Sequence, residues 1–373
     1  MIIQMITGVQ ATDSRVEAIV QKAILYGLSP QVQAEAGVHF IAVLIHLKDG
    51  KAQANSIPEH VFQMDGVERV LRVSPSQVSP LRNGGDHHLI EVGGSLIGPG
   101  QPCRLVAGQC AIDKHIGLTV EGLVKLGVQD LRGGWKKPRS KAEGFRGFGE
   151  AGLENFLRAA AANDVRSVWM EVMESPDIEI VRRCRDRTSY RGDIVLWVGA
   201  RTQNYCLLEA LGLQKEFVVM IKHGLTMTRI DELMDLAGWV LYGPMFWDED
   251  GRLDPEKSAP SGNQKIIFCV RGLRKVDTHD PHRFYPNFSW INELHSRSWA
   301  PVCLDPSHMA GRVDLVFEDL QNGLKHSPDV VMVETHVKPA EALCDKDQAI
   351  PLERVPELIT MITEHNAHRG QQA

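Results

Sequence analysis

Four cations, Arg132, Lys136, Lys137 and Arg139, crowd with two glycines into the ten residues from Leu131 to Ser140. Pro138 fixes its own φ, and Gly133 and Gly134 let backbone pass close to a ligand. Such a loop suits a small, highly charged anion. An isolated basic cluster of this kind is usually a solvated turn. Here single cations also end apolar runs far away in sequence: Arg201, Lys222 and Arg271. Together they fit recognition of a substrate carrying phosphate and carboxylate, for which forked Arg is well suited. A second constellation is Cys110, His308, Glu334 and Asp345. Thiolate, imidazole and two carboxylates are reasonable ligands for a first-row divalent ion, and a mixed S/N/O set leaves the metal open. Glu171 and Asp305 also stand at strand ends.

The elements that must position these residues are legible in the apolar pattern. Residues 1–74 read strand, helix, strand, strand, helix, strand. Met1–Ile6, Val38–Leu47 and Val67–Val73 are apolar runs. Ser14-x-x-Glu17 and Ser56-x-x-Glu59 match capping boxes, and Val16, Ile19, Val20, Ala23 and Ile24 form a helical stripe ended by Gly27. This βαββαβ order predicts a small ferredoxin-like α+β domain. It has no titratable cluster of its own, which points to ligand sensing or assembly. Residues 75–88, with Pro75, Pro80, Gly84 and Gly85, form the linker, and 89–373 a second domain.

Leu89–Ile97 reads as a hairpin about Gly93-Gly94. Beyond it, strands are expected at Leu105–Cys110, Val128–Leu131, Ser167–Met173, Ile194–Val198, Phe217–Ile221, Ile266–Val270, Val302–Leu304 and Val330–Val333. Amphipathic helices intervene. Eight such units in about 285 residues predict a (β/α)8 TIM barrel, with its active site at the C-terminal ends of the strands. Cys110, His308, Glu334 and Asp345 then share the mouth of strands one, seven and eight, neighbours in a closed barrel. Gly147-x-Gly149-x-x-Gly152 spells a dinucleotide fingerprint but follows a basic loop rather than a strand, so it is read as a turn entering a helix.

Composition excludes several classes. The chain has 373 residues, 43% hydrophobic and 24% charged, as in an ordinary globular protein. A net charge of -6 argues against nucleic-acid binding. No apolar run approaches the roughly 18 residues of a membrane span. Without a signal-peptide pattern, and with seven cysteines none of which are in CxxC spacing, the sequence reads as a cytoplasmic protein with reduced thiols.

At the predicted strand ends the chain resembles the type I 3-deoxy-D-arabino-heptulosonate 7-phosphate (DAHP) synthases with an N-terminal ferredoxin-like regulatory domain. The matching segments include Ile90–Gly94, Ala107–Cys110, Leu131–Ser140, Phe145–Glu150, Glu171–Met173 and Gly199–Arg201. Others are Lys222-x-Gly224, Arg271-Gly272, Asp305–His308, Glu334-x-His336 and Leu343–Asp345. The resemblance implies condensation of phosphoenolpyruvate (PEP) with erythrose 4-phosphate, opening the shikimate pathway. Arg132, Lys137, Arg201, Lys222 and Arg271 would bind PEP, and Pro138, Arg139 and Ser140 the aldose phosphate. Cys110, His308, Glu334 and Asp345 would hold a divalent Mn, Fe, Co, Zn or similar ion. Lys137, Cys110, His308 and Asp305 would be catalytic, with Asp305 close to the aldehyde and Lys137 donating a proton at a pKa lowered by its cationic neighbours. It further implies a homotetramer under feedback by an aromatic amino acid.

The sequence also departs from the family. Gln109 and Ala111 replace the usual Pro and Ser around the metal-binding Cys, and His223 replaces an Arg after Lys222. The run after Arg201 is shortened, and Tyr242–Ser261 is an insertion that reads as a lid or interface loop. His279–Asn287 replaces the usual stretch near the aldehyde. The acceptor side is thus altered more than the PEP side. A paralogue using another phosphorylated aldose is the alternative, and Gln109 sustains a third reading, a catalytically weak regulatory or binding protein.

Overall fold

The computed structural model describes residues 2–26, 28–35, 38–44, 59–71, 88–139, 141–243, 245–251, 254, 257, 261–275 and 279–370. The chain divides into two compact units, Met1–Pro75 and Ser76–Ala373.

In the first unit, strands β1 (Ile2–Met5), β2 (Ser29–Glu35), β3 (Val38–Leu44) and β4 (Val67–Leu71) form an antiparallel sheet in the order β2-β3-β1-β4. Helix α1 (Ser14–Leu25) buries Val16, Ile19 and Ala23 in a core with Ile3, Met5 and Phe62. Its expected stripe is one residue too wide, because Ile24 is 52% exposed. The cap also differs: Asp13, not Ser14, is the N-cap, and its carboxylate accepts from the Arg15 backbone N–H at 3.0 Å. The Arg15 guanidinium clamps the same carboxylate at 2.7 Å, an anchor that a serine hydroxyl lacks. Of the second expected helix, the described residues hold a 3-10 turn over Glu59–Phe62. Ser56, Gly27 and the linker before His88 lie outside the described residues.

The second unit opens with a hairpin, β5 (Ile90–Val92) and β6 (Ser95–Ile97), turned at Gly93 and Gly94 with φ of 59° and 71°. Two successive positive φ values define a tight turn that residues with a Cβ adopt poorly. Eight parallel strands follow: β7 (Arg104–Gln109), β8 (Asp130–Gly133), β9 (Ser167–Val172), β10 (Asp193–Val198), β11 (Val218–Lys222), β12 (Ile266–Val270), β13 (Val302–Leu304) and β14 (Val330–His336). Each pairs with the next, and β14 closes onto β7, with Glu334 opposite Gly108. The TIM barrel expected from the apolar runs is therefore present. A two-residue strand, β15 (Ile350–Pro351), extends the β14 edge.

These strands read as nearly continuous apolar runs because both faces are covered. One core lies between the barrel and its helices and includes Leu131, Phe156, Val168 and Ile291. The other fills the interior with Val106, Trp169, Val195, Trp197, Met220 and Met332, joined by Ile90, Val92 and Ile97 of the hairpin. Arg104, at the start of β7, donates to Val92 O at 2.6 Å, so the hairpin sits at the N-terminal end of the barrel. The helices that bear on the site are α2 (Ile116–Lys125), α3 (Gly149–Ala162), α4 (Pro176–Thr188), α5 (Tyr205–Leu213), α6 (Ile230–Tyr242), α7 (Ser289–Arg297), α8 (Pro306–Ala310) and α9 (Val313–Leu324).

Candidate active site

A cavity of about 240 Å³ opens at the C-terminal strand ends, lined by Arg132, Lys137, Pro138, Arg139, Glu171, Arg201, Lys222, Arg271 and His308. All five cations expected to meet there do so. Trp197, an interior residue of β10, forms an aromatic floor. The Arg132 guanidinium carbon lies 5.1 Å from its ring centroid and the Lys222 ammonium 4.8 Å. Sequence reasoning missed Trp197, because in an apolar strand it reads as core.

The basic loop is built in from β8. The Trp135 indole N–H donates to Glu171 O at 2.8 Å, and Lys137 N donates to Arg146 O at 2.8 Å. Gly134 is required for close approach, since a Cβ there would strike the Cys110 carbonyl oxygen. That approach is to the β7 end rather than to a ligand. Lys136 turns outward and pairs with Glu174 at 2.7 Å, leaving Arg132, Lys137 and Arg139 at the cavity. Ser140 lies outside the described residues.

Several guanidinium donors at the cavity are unsatisfied. Arg132 is buried, and its Nε and Nη1 have no hydrogen-bond partner; the Nη1 of Arg271 is likewise orphaned. Burial pulls the Arg271 pKa down to about 10, against the attraction of Asp305. Buried donors are normally satisfied, so unpaired guanidinium N–H groups facing a cavity mark a place for anionic oxygens.

Four potential ligands gather beside them. The Cys110 thiol donates to Asp345 Oδ2 at 2.9 Å, and His308 Nε2 lies 3.5 Å from Glu334 Oε1. Ligand atoms of His308, Glu334 and Asp345 all lie within 4.8 Å of one another, as do those of Cys110, Cys344 and Asp345. His308 Nδ1 is 2.8 Å from Asp305 Oδ2, which leaves Nε2 to face the cluster. Glu334 Oε1 is buried with no hydrogen bond, although the Arg132 guanidinium stands 3.1 Å away. The orphaned Glu334 oxygen and the oriented His308 imidazole form one donor cluster, the Cys110 and Cys344 sulfurs another, and Asp345 belongs to both, a mixed donor set whose chemistry fits a divalent cation. Despite burial, His308 and Arg132 hold the Glu334 carboxyl below its ordinary range.

Two expectations change. Asp305 is fully buried and caps α8, accepting from His308 N at 3.2 Å and from the Lys222 ammonium at 2.7 Å. It does not line the cavity itself, and its carboxylate orients His308 and Lys222, which do. Lys137 is not shifted down by cations. Burial would lower it, but the sulfurs of Cys110 and Cys344 and the carboxylates of Glu171 and Glu334 outweigh burial and hold it above the ordinary lysine range.

The departures from the family pattern also acquire positions. Gln109 is buried away from the cavity, donating to Asp113 at 2.9 Å and Thr119 at 3.0 Å and accepting from Asp113 N at 3.0 Å. It anchors the chain leading into α2, so the weak-protein reading loses its one support. His223 packs on Trp290 with ring centroids 4.6 Å apart, and burial lowers its pKa to about 4, so no charge replaces the missing arginine. Arg283, inside the altered His279–Asn287 stretch, lines the cavity and donates to Asp345 at 2.9 Å. Gln348 links Arg283 and Glu334. Neither Arg283 nor Gln348 carries a periodic signal that would expose it in the sequence. Among the described residues, none of Tyr242–Ser261 lines the cavity.

A closed barrel with clustered cations and unsatisfied guanidinium donors over its mouth, and a sulfur, nitrogen and oxygen donor set beside them, defines a TIM-barrel enzyme for an anionic substrate. The model of the DAHP synthetase I family matches residues 75–369, and the chain belongs to that family. It is 31% identical over 300 residues to the phospho-2-dehydro-3-deoxyheptonate aldolase of Thermotoga maritima, 79% of each chain being covered. The crystal structure of the Thermotoga maritima DAHP synthase superposes with a TM-score of 0.70 at 27% identity, covering 99% of this chain and 98% of that one. A truncated form of the Thermotoga enzyme matches with a TM-score of 0.62 at 27% identity, covering 79% and 98%.

Proposed function

We propose that the protein is a 3-deoxy-7-phosphoheptulonate synthase, a transferase joining PEP and erythrose 4-phosphate to give DAHP and phosphate. The observation that carries this reading is the set of unpaired, buried guanidinium donors of Arg132 and Arg271 facing the same cavity as His308 and Asp345. Arg132, Arg201, Lys222 and Arg271 bind the phosphate and carboxylate of PEP, with Trp197 beneath the first and third. Arg139 and Ser140 hold the phosphate of the aldose.

Cys110, His308, Glu334 and Asp345 hold a divalent ion of the Mn, Fe, Co or Zn kind, which when bound supplies a Lewis acid for the aldehyde oxygen. PEP C3 attacks the aldehyde carbon, forming the C–C bond as the carbonyl π pair moves to oxygen. Lys137, an ammonium held above the ordinary lysine range, stabilises the developing alkoxide and gives it a proton, since a strongly basic oxygen can take one from it. Water then adds at the electron-poor C2, returning one proton to the Lys137 amine, and the hemiketal phosphate collapses to the ketone as its C–O bond breaks and phosphate leaves with the second proton. Asp305 keeps His308 and Lys222 oriented throughout.

The cavity lining runs from Arg132 to Asp345, all in the second unit. We assign the N-terminal unit feedback by an aromatic amino acid within a homotetramer from the family resemblance. Deleting residues 1–88 should leave turnover and abolish any such inhibition. A cytoplasmic setting accords with seven free thiols. Among the described residues, no helix is long and apolar enough to cross a membrane.

A second reading, a paralogue using another aldose phosphate, is favoured by Arg283, a cation from the altered stretch at the cavity wall. Steady-state kinetics with a panel of aldose phosphates tests the two. Erythrose 4-phosphate should lead in kcat/KM; preference for another aldose by orders of magnitude would transfer the assignment to the paralogue.

A further inference from the structure

Helices α5 and α6 pack side by side outside the barrel, and the chain leaves α6 on the Tyr242–Ser261 excursion. It returns where Gly262 N donates to Leu241 O at 2.8 Å and Asn263 N to Val240 O at 3.0 Å. Between the helices and this excursion lies a second cavity of about 280 Å³, near the lower end of small-molecule sites. Trp239, Tyr242, Met245 and Trp247 supply its apolar walls, and Glu209 and Asp235 its charge. Among the described residues, no lysine or arginine lines it, and it shares none with the catalytic cavity.

Trp239 is 43% exposed and Trp247 61%, a large aromatic area left in water beside a concave surface. Tyr205 stacks on Trp239 with ring centroids 4.7 Å apart, which fixes that ring before any ligand arrives. Among the described residues, neither Glu209 nor Asp235 forms an ion pair. Burial and the neighbouring Asp231 carboxylate raise the Asp235 pKa, and the attraction of Arg229 only partly offsets them. Aromatic faces and carboxylates attract the same partner, a positive charge. A free carboxylate would meet only repulsion here.

We propose that this pocket binds a small organic ammonium ion with an apolar or aromatic body. The body lies against Trp239, Tyr242 and Trp247, and the ammonium faces Glu209 and Asp235. An amino acid zwitterion is a poorer fit, because its carboxylate would lie near Glu209 and Asp235 with no cation among the described lining residues to offset them.

The test is isothermal titration calorimetry of the full-length chain with tryptamine, and with indole-3-propionate as an anion of similar body. PEP is present at saturation to occupy the catalytic cavity. Tryptamine should bind at one site per chain and indole-3-propionate should not. The double variant Glu209→Gln, Asp235→Asn should weaken tryptamine about tenfold, since each exposed charge contributes modestly. Trp239→Ala should weaken it by a similar factor through the lost ring face. DAHP formation should be unchanged in the double variant, which also certifies its fold. Equal binding of the amine and the acid, or undiminished tryptamine binding in the double variant, would overturn the proposal. So would failure of tryptamine to bind together with dissociation of the oligomer in the double variant, which would make the patch a contact between copies.

Discussion

Replacing Arg271 by methionine should make the unliganded protein more stable while crippling its use of PEP. The Arg271 guanidinium is buried over the Phe284 ring at 4.2 Å, with Nη1 unpaired. At about 1.4 kcal/mol per pKa unit, the fall from 12.5 to about 10 represents about 3 kcal/mol of burial cost left uncompensated. Contact with the Phe284 ring returns about 1–2 kcal/mol of this. A methionine of similar reach avoids the charge and fills most of the volume, so a net gain of about 1–2 kcal/mol is expected. For a unit of this size that is a rise of roughly 2–8 °C in Tm without ligand. The same change removes one partner of a buried charge pair with PEP, which costs on the order of 2–5 kcal/mol, or at least about thirtyfold in KM for PEP. Thermal melts with and without PEP, beside steady-state kinetics, read both effects. The wild type should gain stability from PEP and the variant almost none. A lowered Tm in the free variant together with an unchanged KM for PEP would refute the reasoning.

Arg139→Ala should raise KM for the aldose phosphate at least tenfold and leave that for PEP nearly unchanged; kinetics showing the reverse would invert the division of the cavity. Cys110→Ala should fold normally, because the cysteine lies at the site rather than in the main core, yet retain little divalent metal by elemental analysis. A full complement of metal in that variant would remove Cys110 from the ligand set. His223 has a folded pKa of about 4 against 6.5 when free, so the unfolded chain takes up the proton first as pH falls. Stability from this group is complete above about pH 6.5, and about 3 kcal/mol is lost as pH falls to about 4. His223→Gln should flatten that acid limb in denaturant titrations, and an unaltered limb would show that His223 is not its source.

Much of the fold was legible because a parallel barrel forces continuous apolar runs. Ile266–Val270 and Val302–Leu304 coincide with their strands, and the other runs differ by a few terminal residues. The cations were legible for the same reason, since whatever ends such a run stands at the barrel mouth. What was hidden depends on closure. Trp197 becomes a floor only when β10 brings it beneath side chains from β8 and β11. Lys137 has cations for sequence neighbours but sulfur and carboxylates for spatial ones, so its shift was expected with the wrong sign. Asp305 ends a strand like the others, yet it caps α8 and its carboxylate holds His308 and Lys222 rather than lining the cavity.

The central claim is that one cavity joins PEP to an aldose phosphate. Its most direct test is the stoichiometry of the reaction with the metal-loaded full-length chain, PEP and erythrose 4-phosphate. Phosphate release should match erythrose 4-phosphate consumption one to one, with a single product of DAHP mass, and stop when either substrate is omitted. Phosphate released from PEP without loss of erythrose 4-phosphate, or no release from a metal-loaded and folded sample, would contradict the account.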